Sequence, residues 1–166
     1  SNADFARSVL GSTVKLGSHI ISILPMAHMY GMAFELIFEF IAGAHVFYLT
    51  RMPSPAIIAQ ALAEVKPALM IAVPLIIEKI IRKRVFPKIQ TNRMKLLLNT
   101  PVIQKKVKEK ICEQVMQAFG GNIYQVIIGG AALNREIEMF LKDINFPFTV
   151  GYGATECAPI IGCSDW

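Results

Sequence analysis

Tyr124-Gln125-Val126-Ile127-Ile128-Gly129-Gly130-Ala131-Ala132-Leu133-Asn134 decides the fold class. Residues from Tyr124 to Ile128 are mostly aromatic or β-branched, the composition of a buried strand. Gly129 to Ala132 carries too little side chain to extend that strand and reads as its exit loop. Asn134 can then cap a helix, with Ile137, Phe140, Leu141 and Ile144 recurring at helical spacing. A second apolar run, Phe148 to Tyr152, follows as the next strand. Strand, loop, capped helix and strand in succession make a βαβ unit, which places its two strands parallel in one sheet.

The same alternation runs upstream. His19 to Leu24 is a β-rich run closed by Pro25, and His45 to Leu49 is another. Between them Ala27 to Ala42 is apolar nearly all round, as in a buried helix. Ser54-Pro55 gives an N-cap followed by proline at the first helical position, with Ile57, Ile58, Ala61, Leu62 and Val65 as the stripe. That helix ends before Pro67, and Ala68 to Val73 is a third strand. Pro74 opens a helix with Ile76, Ile77, Ile80 and Ile81 inward and Lys79, Arg82 and Lys83 outward, which Phe86-Pro87 is expected to stop. Thr91 to Asn99 reads as a short helix or loop. Thr100-Pro101 starts a further helix, striped by Ile103, Val107, Ile111, Val115 and Phe119 and ended by Gly120-Gly121. Five strands alternating with helices predict an α/β fold, an open, mostly parallel sheet with helices on both faces. Ser1-Asn2-Ala3 reads as an expression-tag remnant. Residues 4–166 then form a single α/β subdomain, with Asp4 to Leu10 the end of a helix.

Composition narrows the class. Hydrophobic residues make up 54% of the 166 and mean hydropathy is +0.47, high for a free-standing domain. A transmembrane helix is excluded in the longest apolar stretch, Met29 to Leu49, because Glu35 and Glu39 interrupt it. The apolar excess instead implies surfaces that a larger protein would cover. Cys112, Cys157 and Cys163 show no paired spacing, which suits a reduced, cytosolic setting; Cys112 is expected in the core. Eleven of the seventeen Lys and Arg residues lie between Lys79 and Lys110. Either they are solvated helix faces or they mark a surface for peripheral contact with an anionic membrane. They lack the regular aromatic interleaving of a nucleic-acid surface, so nucleic acid is not an expected partner.

In a parallel sheet, ligands bind beyond the carboxyl ends of the strands. That rim gathers Pro25 to His28, Gly129 to Ala132, and Tyr152-Gly153-Ala154-Thr155-Glu156. A ring to stack on a base, glycine backbone for close approach, a hydroxyl and a carboxylate would suit a nucleotide with bound metal. An ordinary strand-to-loop turn is the competing reading. Gly129 and Gly130 serve equally for close helix–strand packing, and His28 for a satisfied core histidine. Neither a dinucleotide fingerprint nor a Walker loop is present. Glu35 and Glu39 share a helix face and are read as solvated or paired with a basic neighbour. His19 and His45 lie in strands without acids or cysteines to make them ligands.

Together these segments resemble the adenylate-forming enzymes, and within them the long-chain fatty acid–CoA ligases. Gly151-Tyr152-Gly153-Ala154-Thr155-Glu156 is similar to that family's Tyr-Gly-x-Thr-Glu motif, and Gly129-Gly130-Ala131-Ala132-Leu133 to its adenine loop. Leu24-Pro25-Met26-Ala27-His28 resembles the segment after its phosphate loop, and Val73-Pro74-Leu75 with Glu78-Lys79-Ile80 its connecting stretch. The resemblance implies ATP, Mg²⁺ and CoA, with a fatty acid activated as acyl-AMP and passed to CoA. It implies that Tyr152 and Gly153 meet adenine, and that Gly129, Gly130, Ala131 and Ala132 line the adenine and acyl pockets. Thr155 would contact phosphate and carboxyl oxygens, Glu156 would bind Mg²⁺, and His28 would sit at the mouth of the acyl site. The phosphate loop, ribose-binding Asp, hinge and adenylation Lys of the family are not in the sequence. The expectation is therefore an internal piece of the large N-terminal domain, inactive alone. The alternative is a stand-alone, non-catalytic nucleotide- or acyl-binding module.

Overall fold

The computed structural model describes residues 2–11, 14–89 and 101–164. The stretch Thr91 to Asn99 and the Thr100 cap lie outside the described residues. In chain order the elements are α1 (Asn2–Leu10), β1 (His19–Ser22), α2 (residues 29–42), β2 (His45–Tyr48) and α3 (Pro55–Val65). They continue with β3 (Leu69–Ala72), α4 (residues 74–89), α5 (Pro101–Ala118), β4 (Gln125–Ile128), α6 (Arg135–Asp143), β5 (Phe148–Gly153) and β6 (Ile160–Cys163). Helix α1 begins at Asn2, inside the stretch read as a tag.

The six strands are ordered β2-β1-β3-β4-β5-β6. The first five are parallel, and β6 pairs antiparallel with β5. From β1 the chain steps outward to β2, then crosses back over β1 to β3. That reversal is a topological switch point, where the loops at the carboxyl ends splay apart and leave a crevice. Sequence reading gives the five parallel strands and omits β6.

Neighbouring residues of a strand point to opposite faces. On β1, Ser22 bonds Glu35 of α2, whereas Ile21 lines a cavity with Ile57 and Ala61 of α3. Helix α2 with α1 therefore covers one face, and α3 with its packed neighbours α4 and α5 covers the other. Helix α6 joins the second layer through Phe140 against Phe86 (ring centroids 5.2 Å apart) and the Arg82–Glu136 ion pair (2.9 Å). All four residues of β3 and all four of β4 are buried, which is why these strands read as continuous apolar runs.

The caps follow their residues. Ser54 accepts from the Ile57 amide, and Asn134 from those of Glu136 and Ile137. Phe86-Pro87 does not stop α4, which continues to Ile89. A π turn over Ile81–Val85 precedes the proline, and the Phe86 amide reaches back to the Ile81 carbonyl. Widening the turn accommodates a residue that lacks an N–H and would otherwise press on the carbonyl four residues earlier.

The larger correction concerns α2. Glu35 and Glu39 are neither solvated nor ion-paired; both are 0% exposed. The exposed side of this helix carries Leu36, Ile37, Phe40 and Ile41 instead. Cys112 is half-buried rather than core.

Candidate functional site

Three loops meet at the carboxyl ends of β1, β4 and β5. Around one cavity of about 150 Å³ stand His28 and Tyr30 after β1, Gly129 and Gly130 after β4, and Gly151 to Thr155 along and beyond β5. Each of the three loops expected at the rim reaches this cavity, through His28, through Gly129 and Gly130, and through Tyr152 to Thr155. Pro159 and Ile160, leading into β6, close its far side.

Each wall has a local cause. The carbonyl of Pro25 accepts from the His28 amide (3.0 Å), turning the β1 exit into α2. His28 caps that helix: its Nδ1 accepts from the Tyr30 amide at 3.2 Å. A ring nitrogen that accepts bears no proton, so neutral His28 carries its proton on Nε2, a donor for an oxygen in the cavity. Gly129 is buried, and a Cβ there would come within 3.0 Å of the Tyr30 ring. Close packing thus accounts for this glycine, and the same packing leaves a flat wall. Gly130, at φ +85°, takes the left-handed turn that frees the loop from the strand. A Cβ on Gly153 would fall 1.8 Å from the Pro159 carbonyl oxygen, so only glycine lets β6 close the cavity.

Tyr152 is 74% exposed, a ring presented to solvent at the cavity. Thr155 lines the cavity at the start of a 3-10 turn, Thr155–Cys157. Glu156, the next residue of that turn, is exposed and not among the lining residues, and neither are the exposed Ala131 and Ala132. Among the described residues no group of three or more His, Cys, Asp or Glu could hold a metal. One carboxylate still fits Mg²⁺, which commonly takes one or two carboxylates and otherwise water and substrate phosphates. The volume fits part of a nucleotide, since pockets that enclose whole drug-sized ligands run to about 300–1,000 Å³.

Sequence reading missed Tyr30 and Phe34. Tyr30 is buried, its hydroxyl donates to the Ile127 carbonyl (3.4 Å), and burial raises its pKa. Its ring meets Phe34 edge-on, centroids 5.8 Å apart. Beyond Phe34 lies a second cavity of about 360 Å³, walled by Phe5, Val9, Leu10, Phe34, Ile127 and Ile160. Gln125 and Thr149, hydrogen-bonded to each other at 2.6 Å, give it a polar floor. The Tyr30–Phe34 pair stands between a polar cavity and an apolar one. Tyr30 falls two residues after His28, and that spacing was the available signal.

Comparison with known proteins agrees with this architecture. The family model described as AMP-binding enzyme matches residues 2–166. Long-chain-fatty-acid–CoA ligase 3 of Saccharomyces cerevisiae is 30% identical over 89% of this chain, and long-chain-fatty-acid–CoA ligase 2 of Schizosaccharomyces pombe 26% identical over 90%. The chain spans only 22% and 24% of those two relatives. Among solved structures, a benzoate CoA ligase from Burkholderia xenovorans superposes with a TM-score of 0.63 at 20% identity, over 98% of this chain and 28% of its own. The o-succinylbenzoate CoA synthetase of Bacillus subtilis, solved in complex with ATP and magnesium ion, gives 0.65 at 17% identity, over 99% and 28%. A match along the whole described length, on a sheet that these ligases share, means that the chain belongs to the AMP-binding enzyme family.

Proposed function

We propose that this chain is part of an ATP-dependent fatty acid–CoA ligase. It would contribute the adenine wall and the mouth of the acyl pocket to a site completed by the rest of that protein. The observation that carries the reading is the meeting of His28, Gly129-Gly130 and Tyr152 to Thr155 at one cavity, beside an apolar cavity behind Tyr30 and Phe34.

In this reading the Tyr152 ring stacks on adenine and Gly129-Gly130 forms the flat surface opposite. The Thr155 hydroxyl and the Nε2–H of His28 donate to carboxylate and phosphate oxygens, where negative charge grows as the acyl–phosphate bond forms. Glu156 is the residue that would hold Mg²⁺, and the ion when bound neutralises phosphate charge. An alkyl chain suits the apolar cavity, and the similarity to long-chain ligases favours a long one. Peripheral contact with an anionic membrane through the basic Lys79–Lys110 region belongs to the same reading, since such substrates partition into lipid.

The test is fatty-acid-dependent release of pyrophosphate by the full-length protein. Turnover is expected with long-chain acids, and Tyr152→Ala should raise the KM for ATP roughly tenfold, in line with about 1–3 kcal/mol for base stacking. The 166-residue chain alone should form negligible acyl-CoA. ATP binding by the full-length protein with no release of pyrophosphate from any fatty acid would favour the non-catalytic module.

A further inference from the structure

Glu35 is the side chain of α2 on which three donors from the end of β1 and the start of the His28 loop converge. Its Oε2 accepts from the Ser22 hydroxyl at 2.8 Å and from the Leu24 amide at 2.9 Å, and its Oε1 accepts from the Ile23 amide at 3.1 Å. Those donors are three consecutive residues at the end of β1, where the ladder to β3 has already stopped at Ile21. A buried amide needs an acceptor, and here a side-chain carboxylate replaces the missing strand neighbour. Glu35 sits within a π turn, Met32–Ile37, of the kind often found at functional sites.

The constraint passes along a short path. Leu24 is followed by Pro25, whose carbonyl accepts from the His28 amide. The same carbonyl lies 2.6 Å from where a Cβ on Gly31 would be, so the first turn of α2 rests directly on it. The His28 ring is held in turn by the Tyr30 amide. From Ser22 to Tyr30, the backbone is therefore tied at the Glu35 carboxylate and at the Pro25 carbonyl. Glu39 provides an internal contrast: it is equally buried, one turn further on, and neither of its oxygens meets a hydrogen-bond partner.

We infer that Glu35 is a positioning residue, whose buried carboxylate fixes the β1 exit loop and thereby aims His28 into the cavity shared with Gly129 and Tyr152. The inference rests on the proposed site for its meaning in catalysis, but its geometry is tested without substrate. Glu35→Gln leaves one acceptor oxygen where three donors converge. Glu35→Asp keeps the charge and withdraws it by one methylene, which covers the case in which the amide variant does not fold.

In the isotopically labelled 166-residue chain, either variant should speed amide exchange at Ile23 and Leu24 at least tenfold and shift the His28 ring nitrogens. Glu39→Gln, the control for a buried acid as such, should leave both signals as in the unsubstituted chain. Unchanged His28 resonances in the Glu35 variants, or the same shift in Glu39→Gln, would overturn the positioning role. In the full-length protein Glu35→Asp should lower kcat at least tenfold with little change in the KM for ATP. A displaced His28 with undiminished turnover would instead count against His28 in the proposed site.

Discussion

At Glu39 two carboxylate oxygens are enclosed without a hydrogen-bond donor, and one turn earlier Glu35 is enclosed with three. Burial pushes Glu39 up to about 8, and the Glu35 charge adds to the shift. Burial pushes Glu35 up to about 7, with the bonds from Ile23, Ser22 and Leu24 acting the other way. Both values lie above that of a carboxyl in an unfolded chain, about 4.3, so folding favours the protonated acids. The associated stability is complete below the unfolded value and is lost as pH rises through about 7 and then about 8. The unfolding free energy from urea titrations should accordingly fall between pH 5 and pH 9, by about 1.4 kcal/mol per pH unit for each proton held only by the folded chain. Glu39→Gln should remove its share of that slope, and an unaltered slope would place the titration elsewhere. Sequence could not show this, because a Glu pair on an apolar helix is solvated far more often than buried. What decides the matter at Glu35 is that the Ile23 and Leu24 amides, just past β1, take their acceptor from this side chain rather than from a strand.

Elements were legible where burial is two-sided. Strands β1, β3 and β4 lie between helical layers, so their apolar runs announce them, and Ser54, Asn134 and Pro74 mark helix starts by plain backbone chemistry. Strand β6, Ile160–Cys163, escaped because it is four residues long, half-exposed and interrupted by Gly162. It exists because Gly153 admits the Pro159 carbonyl, a tertiary fact absent from local pattern. Helix α4 outran its proline because a π turn absorbed it. The rim was legible for another reason: once strands are parallel, topology alone brings their exits to one end, whatever the exits do. At the end of α5 the double glycine read as a stop has a stricter role. Gly120 sits at φ +99°, and a Cβ there would lie 2.4 Å from the Leu62 carbonyl oxygen of α3. Gly120→Ala therefore meets both backbone strain and a clash, and should cost more than about 1 kcal/mol of unfolding free energy. At Gly121, φ +80°, the atoms in the way belong only to the Gln117 side chain, which can turn aside. Gly121→Ala should thus be the milder change in the same denaturation assay.

At the scale of the molecule, the exposed apolar stretch of α2 and the basic residues of α4 and α5 fall on different sides of the sheet. The apolar exposure of α2, from Leu36 to Ile41, lies on one face, whereas α4 and α5 on the other carry nine described Lys and Arg residues from Lys79 to Lys110. Arg82 pairs with Glu136 and Lys108 with Asp143. Lys79, Lys83, Arg84, Lys88, Lys105, Lys106 and Lys110 are exposed, with no ion pair among the described residues. Helix α5 packs on the π turn of α4, so these two sets of cations lie in one helical layer. No described helix is long and apolar enough to cross a bilayer. Each basic residue near an anionic leaflet is worth about 1 kcal/mol, and the attraction decays within a Debye length of about 10 Å at 0.1 M salt. The chain should therefore co-sediment with vesicles containing phosphatidylserine at low salt, and be released at about 0.5 M salt. Lys83→Glu combined with Lys106→Glu changes four units of charge without touching a buried residue, and should weaken the association at least tenfold while leaving the thermal midpoint in place. Equal binding to neutral phosphatidylcholine vesicles would assign the attraction to the apolar face of α2 instead. Absence of binding even at low salt would leave these residues as a solvated surface, because seven exposed cations brought near an anionic bilayer are not electrostatically silent under those conditions.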